Sequence, residues 1–109
     1  MRYINLTGVQ VRIVDLDSQV HIYIPEGRVQ IGMRYPERIV EDGFPISVAT
    51  VDGVIGLPPA QDGITYIVPS AVAMLVQRAD VLSPGQLVRD DDGEVLYAEG
   101  FQRFVPPAS

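Results

Sequence analysis

The chain has 109 residues, a net charge of −6 at pH 7 and no cysteine, and 47% of its residues are hydrophobic. This length predicts a single domain with a real core, over residues 1–105, followed by a disordered tail at 106–109. The negative charge argues against binding to DNA, RNA or an anionic membrane, and the lack of cysteine excludes disulfides, thiolate metal sites and cysteine nucleophiles.

Apolar residues are spread along the chain in short runs. None approaches the ~20 residues that a membrane-spanning helix needs, and the first residues lack the apolar stretch of a secretory signal. We therefore expect a cytoplasmic protein. Because the mean hydropathy of +0.17 is high for a small monomer, we also expect a homo-oligomer in which a second copy covers apolar surface.

The first half of the chain predicts a β structure. Val9 to Val14 and Val20 to Ile24 are β-branched runs around the polar segment DLDSQ, which indicates a hairpin. Arg28 to Met33 alternates between polar and apolar residues, which indicates a third strand. After a less regular stretch, Ile46 to Val51 and Val54-Ile55 flank Asp52-Gly53, which favours a hairpin with a type I′ turn.

The second half predicts one strand, one short helix and a last hairpin. Ile64 to Val68 alternates as a strand, and Ser70 is expected to cap a helix near residues 70–78. Because this helix is apolar nearly all round, we expect it to be buried, either on the sheet or at a contact between subunits. Pro84-Gly85 is expected to interrupt the chain before a hairpin around DDDGE. The fold class that follows is mainly β (α+β): a small sheet or barrel-like domain of antiparallel hairpins with one helix.

Residues that could carry catalysis are few. His21 is the only histidine, so no zinc set can form, and the absence of lysine excludes Schiff-base chemistry. DDDGE lacks the ligand spacing of an EF-hand loop, and no glycine-rich phosphate loop precedes a helix. We therefore expect a protein that is not an enzyme and that holds no metal or cofactor.

Two groups of polar residues have both a structural and a ligand-binding interpretation. Asn5 and Thr7 place two hydrogen-bonding side chains on one face of the first strand, where they either hold a neighbouring loop or meet a polar ligand. In LPPAQDGITYIV, Gln61 and Tyr66 either satisfy backbone groups and fill the core, or line a pocket that two prolines stiffen.

Three segments resemble those of one family of small phage, prophage and bacterial proteins. They are INLTG at Ile4 to Gly8, LPPAQDGITYIV at Leu57 to Val68, and LVRDDDGEVLYAEGFQRF at Leu87 to Phe104. In the central segment, Ala60 replaces the second proline of the family pattern and Pro69 replaces the serine that follows Y-I-V. The resemblance implies a protein that acts in an infected or lysogenic bacterial cell.

Small phage proteins of this kind are often counter-defence proteins, and one class binds nucleotide-derived immune signals and keeps them from the host effector. The resemblance therefore implies a nucleotide-type ligand, such as a cyclic dinucleotide or an ADP-ribose derivative. Arg89 and Arg103 lie near the family-like segments and are expected to bind phosphate, with Asn5, Thr7, Gln61 and Tyr66 as further ligand-binding residues. The alternative is a protein-interaction or virion-associated module with no small-molecule ligand.

Overall fold

The computed structural model describes residues 1–27 and 31–106, and within them the chain forms ten strands, one α-helix and one 3₁₀ turn. The strands are β1 (Arg2–Asn5), β2 (Val11–Val14), β3 (Val20–Tyr23), β4 (Gly32–Met33), β5 (Glu37–Glu41), β6 (Phe44–Val48), β7 (Val54–Ile55), β8 (Ile64–Ile67), β9 (Val81–Arg89) and β10 (Val95–Gln102). The helix α1 is Ser70–Val76, and the 3₁₀ turn is Val51–Gly53. The predicted fold class, mainly β with one short helix, is confirmed.

One six-stranded sheet forms the body of the protein, in the order β1-β8-β9-β10-β2-β3. Its two edges approach each other, because Asn5 bridges to Pro25 and its carbonyl accepts a hydrogen bond from Glu26 N at 2.8 Å. The sheet is therefore nearly closed and barrel-like. The hairpins β2-β3 and β9-β10 are antiparallel, whereas three pairs are parallel. Of these, β1-β8 and β10-β2 join segments that are distant in the chain, and β8-β9 are connected through α1.

The core lies where α1 packs on β8 and β9. Strand β8 has a neighbour on each side, and Tyr66 packs in one cluster with Val72 and Ala73 of the helix, so all β8 residues except Ile64 are buried. The buried cluster is apolar apart from one phenol and consists of Leu6, Tyr66, Val68, Val72, Ala73 and Val81.

Helix α1 confirms the predicted helix but corrects two details. Its N-cap is Pro69, and no side chain caps it, so Ser70 is the first helical residue rather than the cap. Only Val72 and Ala73 are buried, while Met74 on the opposite face is exposed. The helix packs on the sheet as expected, but the sheet covers one face of it only, so the helix is buried on that face and exposed on the other.

Pro84-Gly85 does not interrupt the chain but lies inside the nine-residue strand β9. Pro84 lies two residues after Leu82, the last β9 residue that pairs with β8, so β9 has a neighbour there only on the β10 side and the missing N–H is tolerated. At Gly85 the strands approach so closely that a Cβ would clash with the carbonyl oxygen of Glu99. Pro84 and Gly85 are therefore both compatible with a continuous strand at these positions.

The type I′ hairpin turn forms at Asp42-Gly43 rather than at Asp52-Gly53. Asp42 and Gly43 have φ of 51° and 83°, and they join β5 to β6. Gly53 instead ends the 3₁₀ turn and packs against the Arg34 carbonyl, leaving no room for a Cβ. The prediction of a hairpin around Asp52-Gly53 is wrong, because these residues belong to the 3₁₀ turn and Gly53 contacts Arg34.

The hairpin Glu37–Val48, formed by β5 and β6, is called the arm below. Its two strands pair with each other and belong to no larger sheet, and all of its residues are exposed except Val48, which is intermediate.

The predicted third strand is only partly within the described residues. Arg28 to Gln30 lie outside them, and Gly32–Met33 forms β4, which pairs with β7. Of the predicted tail, 107–109 likewise lie outside the described residues. Among the described residues, no helix has the length and apolar character to cross a membrane.

Candidate functional site

Asn5 holds three segments of backbone together. Its amide nitrogen donates to the carbonyl oxygens of Val9 at 2.7 Å and Tyr23 at 3.0 Å, and its side-chain oxygen accepts from Thr7 N at 2.9 Å and Thr7 Oγ1 at 2.6 Å. Asn5 is 2% exposed. Two donors and two acceptors complete the hydrogen-bonding capacity of an amide, so in this conformation Asn5 connects the loop after β1 to β3.

Tyr66 lies in the core and is 1% exposed, with its hydroxyl 3.4 Å from the Pro59 carbonyl oxygen. Its ring therefore has no face free for stacking on a ligand in this conformation. Gln61 is exposed, and its backbone carbonyl accepts a hydrogen bond from Ile64 N at 3.2 Å in the turn that begins β8. LPPAQDGITYIV thus joins an exposed turn to a buried strand.

The two predicted phosphate-binding arginines are both exposed. Arg89 Nη1 donates to the Gly93 carbonyl oxygen at 2.8 Å within the β9-β10 turn. Arg103 follows β10. The structure does not bring the six predicted residues to one place, and ligand binding by them stays a prediction.

One cavity, of about 730 Å³ and lined by described residues, is called the arginine cavity below. It lies against β2, β9 and β10, beside the residues that begin α1. Of the six predicted residues only Thr7 lines it. Most of its lining is apolar, and its main polar or aromatic side chains belong to Gln10, Arg12, Tyr97 and Gln102.

Within the described part of the chain, Arg12 is the only charged residue that lines the arginine cavity. Its guanidinium has no ion-pair partner there. Although the protein has a net charge of −6, the described lining of this cavity contains no carboxylate and one arginine.

A second cavity, of about 520 Å³, is called the aromatic cavity below. The rings of Tyr3 and Phe101 are nearly parallel, with centroids 5.7 Å apart and an interplanar angle of 6°. Tyr23 is tilted against both, at centroid distances of 5.5 Å and 6.0 Å. These separations lie within the range of favourable aromatic pairs.

A carboxylate and an imidazole also line the aromatic cavity. His21 Nε2 lies 2.7 Å from Asp15 Oδ2, while Asp15 Oδ1 accepts hydrogen bonds from Asp17 N and Gln19 N. The hydrogen bond with His21 and those from the backbone lower the pKa of Asp15, so this carboxylate is ionised at neutral pH. Burial raises the pKa of Tyr23.

Among the described residues, no three His, Cys, Asp or Glu side chains are grouped so as to hold a metal ion. His21 and Asp15 form a pair, and both are substantially exposed.

Sequence reasoning missed both cavities. Arg12 had a detectable signal, since it is the one charged residue in the short strand VRIV. Tyr3, Tyr23 and Phe101 come from β1, β3 and β10, and nothing in their spacing indicates that these strands meet. Comparison with protein-family models, with curated proteins and with solved structures gives no significant match.

Proposed function

We propose that this protein is a non-enzymatic binding protein that sequesters a nucleotide-derived immune signalling molecule in the cytoplasm of an infected or lysogenic bacterium. The observation that carries the proposal is the arginine cavity. Its volume of about 730 Å³ lies within the roughly 300–1,000 Å³ typical of small-molecule sites, and its lining combines apolar walls with a few polar groups.

The chemistry of the lining suits a ligand with a phosphate and a base. The Arg12 guanidinium offers a fork of donors that matches phosphate oxygens, and it is not already occupied by a carboxylate among the described residues. Tyr97 supplies an aromatic ring, and the amides of Gln10 and Gln102 offer donors and acceptors to a base edge. Such a site holds a ligand without transforming it.

The experiment is a thermal-shift panel of the purified full chain against cyclic dinucleotides, cyclic ADP-ribose isomers, ADP-ribose conjugates and NAD. A ligand at a hundredfold excess over its Kd adds about 2.7 kcal/mol to the free energy of unfolding. Chromatography of the compound released on heat denaturation then shows whether it is returned unchanged. Arg12→Gln and Tyr97→Leu are expected to reduce the shift, whereas Arg2→Gln, which lines neither cavity, is the matched control.

A shift with one compound that Arg12→Gln removes and Arg2→Gln retains supports sequestration. No shift with any compound contradicts it. A shift followed by release of an altered compound contradicts the non-enzymatic part of the proposal. A shift lost in Arg89→Gln but kept in Arg12→Gln places binding at the β9-β10 turn rather than in the arginine cavity.

We also propose that the arm forms a contact between copies of the chain. Val40 and Phe44 are 72% and 70% exposed on it, although isolated two-stranded hairpins are only marginally stable in water. The same side chains favour the second candidate function, a module that binds a different protein and no small molecule.

Light scattering distinguishes contact between copies of the chain from binding of a different protein by the arm. A mass that is a multiple of 11.9 kDa, and that falls to one chain in the double variant Val40→Ser and Phe44→Ser, supports contact between copies. A mass of one chain for the unmodified protein contradicts that contact. The exposed side chains of the arm would then be available to a different protein, as the second candidate function requires.

A further inference from the structure

We propose that the aromatic cavity is a second binding site, distinct from the arginine cavity, and that it takes a small organic cation such as a quaternary or alkylated ammonium group. The inference does not depend on the proposed function, because it rests on different residues. Apart from the backbone, the two cavities offer opposite charges: Arg12 lines one and Asp15 the other.

The rings that line the cavity are available to a ligand. Tyr3, Tyr23 and Phe101 form one cluster with all three centroid distances at or below 6.0 Å. None of the three is fully buried, and Tyr3 is 37% exposed. The face of an aromatic ring carries negative electrostatic potential and attracts a cation placed over it.

The charge of the cavity favours the same ligand. Asp15 is the only acidic residue that lines it, and no arginine does so within the described residues. His21 donates from Nε2 to Asp15 when its ring is neutral, which leaves the carboxylate with its charge. The net charge of −6 adds a long-range attraction for cations.

The same geometry argues against a metal ion. Hard divalent cations take six or more oxygen ligands at short distance, whereas this cavity offers one carboxylate, two phenols and one imidazole among apolar groups. An alkylated ammonium group forms no coordination bonds and therefore needs no set of oxygen ligands. It gains from contact with rings and apolar walls, and from one nearby carboxylate.

The test is titration of the isotope-labelled full chain with choline at pH 8, followed by amide chemical shifts. The matched probe is 3,3-dimethylbutan-1-ol, which has nearly the same shape without the charge. We expect saturable shifts at Ile13, His21 and Phe101, and roughly 2- to 30-fold tighter binding of choline than of the alcohol.

Three variants make the test specific. Phe101→Leu and Tyr3→Leu keep apolar volume but remove a ring, and each is expected to abolish most of the preference for choline. Asp15→Asn keeps a side-chain oxygen for the turn and removes the charge, so it is expected to weaken choline roughly two- to fivefold and to leave the alcohol unchanged. Tyr35→Leu, an exposed tyrosine that lines neither cavity, is the control.

Equal affinity for choline and the alcohol would overturn the proposal, because the cavity would then be merely apolar. Chemical-shift changes confined to residues of the arginine cavity would also overturn the proposal. So would the absence of any change at choline concentrations at which the same concentration of sodium chloride leaves the spectrum unchanged. Preference for choline that survives in both Tyr3→Leu and Phe101→Leu, each with a dispersed spectrum, would also overturn it.

Discussion

Strand β8 and the arm both contain β-branched and aromatic residues, but those of β8 are mostly buried and those of the arm are mostly exposed. Ile67 of β8 and Val68 directly after it are fully buried, whereas Val40 and Phe44 are among the most exposed apolar residues of the described chain. The difference is in their neighbours. Strand β8 lies between β1 and β9 under helix α1, while β5 and β6 pair only with each other.

This comparison teaches that the arm and the body contribute differently to stability. Apolar side chains stabilise a fold in proportion to the area that they remove from water, and those of the arm remove little. Changes in the body are therefore expected to act on folding. Changes in the arm are expected to act on association, so that the two effects can be measured separately.

The largest effect on folding is expected from Gly85→Ala in the body. The new methyl would meet the carbonyl oxygens of Glu99 and Gly100, which are backbone atoms of the paired strand and cannot move without separating β9 from β10. We expect a loss of about 3 kcal/mol in the free energy of unfolding, measured by urea denaturation. Gly27→Ala, where nothing lies within 4 Å of the new methyl, is the control. Equal stability of the two variants would show that the strands can separate easily.

A smaller loss is expected from Asn5→Ala, which removes the side-chain donor to the Tyr23 carbonyl and leaves the Val9 carbonyl with Thr7 Oγ1 as its donor. An unsatisfied buried polar group costs about 1–3 kcal/mol, and we expect a loss of about 2 kcal/mol by the same measurement. Gln86→Ala, at an exposed amide on β9, should change stability by less than about 0.5 kcal/mol. If Asn5→Ala were as stable as the parent, the structural role of Asn5 would be refuted and ligand binding would become its better explanation.

A pH-dependent effect of about 1 kcal/mol is expected from Asp80→Asn. Arg78 binds the carboxylate of Asp80 through two hydrogen bonds, at 2.6 Å and 2.9 Å, and these lower the pKa of Asp80 below 3.8. A lowered carboxyl pKa adds stability that is present above the unfolded-state pKa and is lost as the pH falls through the folded-state pKa. The parent should therefore exceed Asp80→Asn in stability at pH 7, by about 1 kcal/mol for a partly exposed pair.

The difference between the parent and Asp80→Asn should vanish once the pH is below the lowered pKa of Asp80. Asp62→Asn is the control, since Asp62 is exposed and has no ion-pair partner among the described residues. A difference that persisted unchanged into acid would mean that packing, rather than charge, explains the effect.

The smallest effect on folding is expected in the arm. Phe44→Ser removes a ring that is 70% exposed, so the free energy of unfolding of a single chain should change by less than about 0.5 kcal/mol. The measurement is urea denaturation at a protein concentration where light scattering gives the mass of one chain. A loss comparable to that of Asn5→Ala would show that Phe44 stabilises the body, and the distinction between the two regions would fail.

The sequence by itself determined the local structure. Alternating and β-branched runs identified the hairpin of β2 and β3, the strand β8 and the hairpin of β9 and β10, and an apolar run after Pro69 identified α1. These features follow from side-chain periodicity and turn chemistry, which act between residues close in the chain.

Only the tertiary structure decided how those segments meet. Asp42-Gly43 and Asp52-Gly53 have the same turn chemistry, but Gly53 contacts the Arg34 carbonyl and, of these two pairs, Asp42-Gly43 forms the hairpin turn. The aromatic cavity likewise exists because a nearly closed sheet brings Tyr3, Tyr23 and Phe101 together. Pairing between distant strands depends on the packing of the whole chain, and local residue patterns do not encode it.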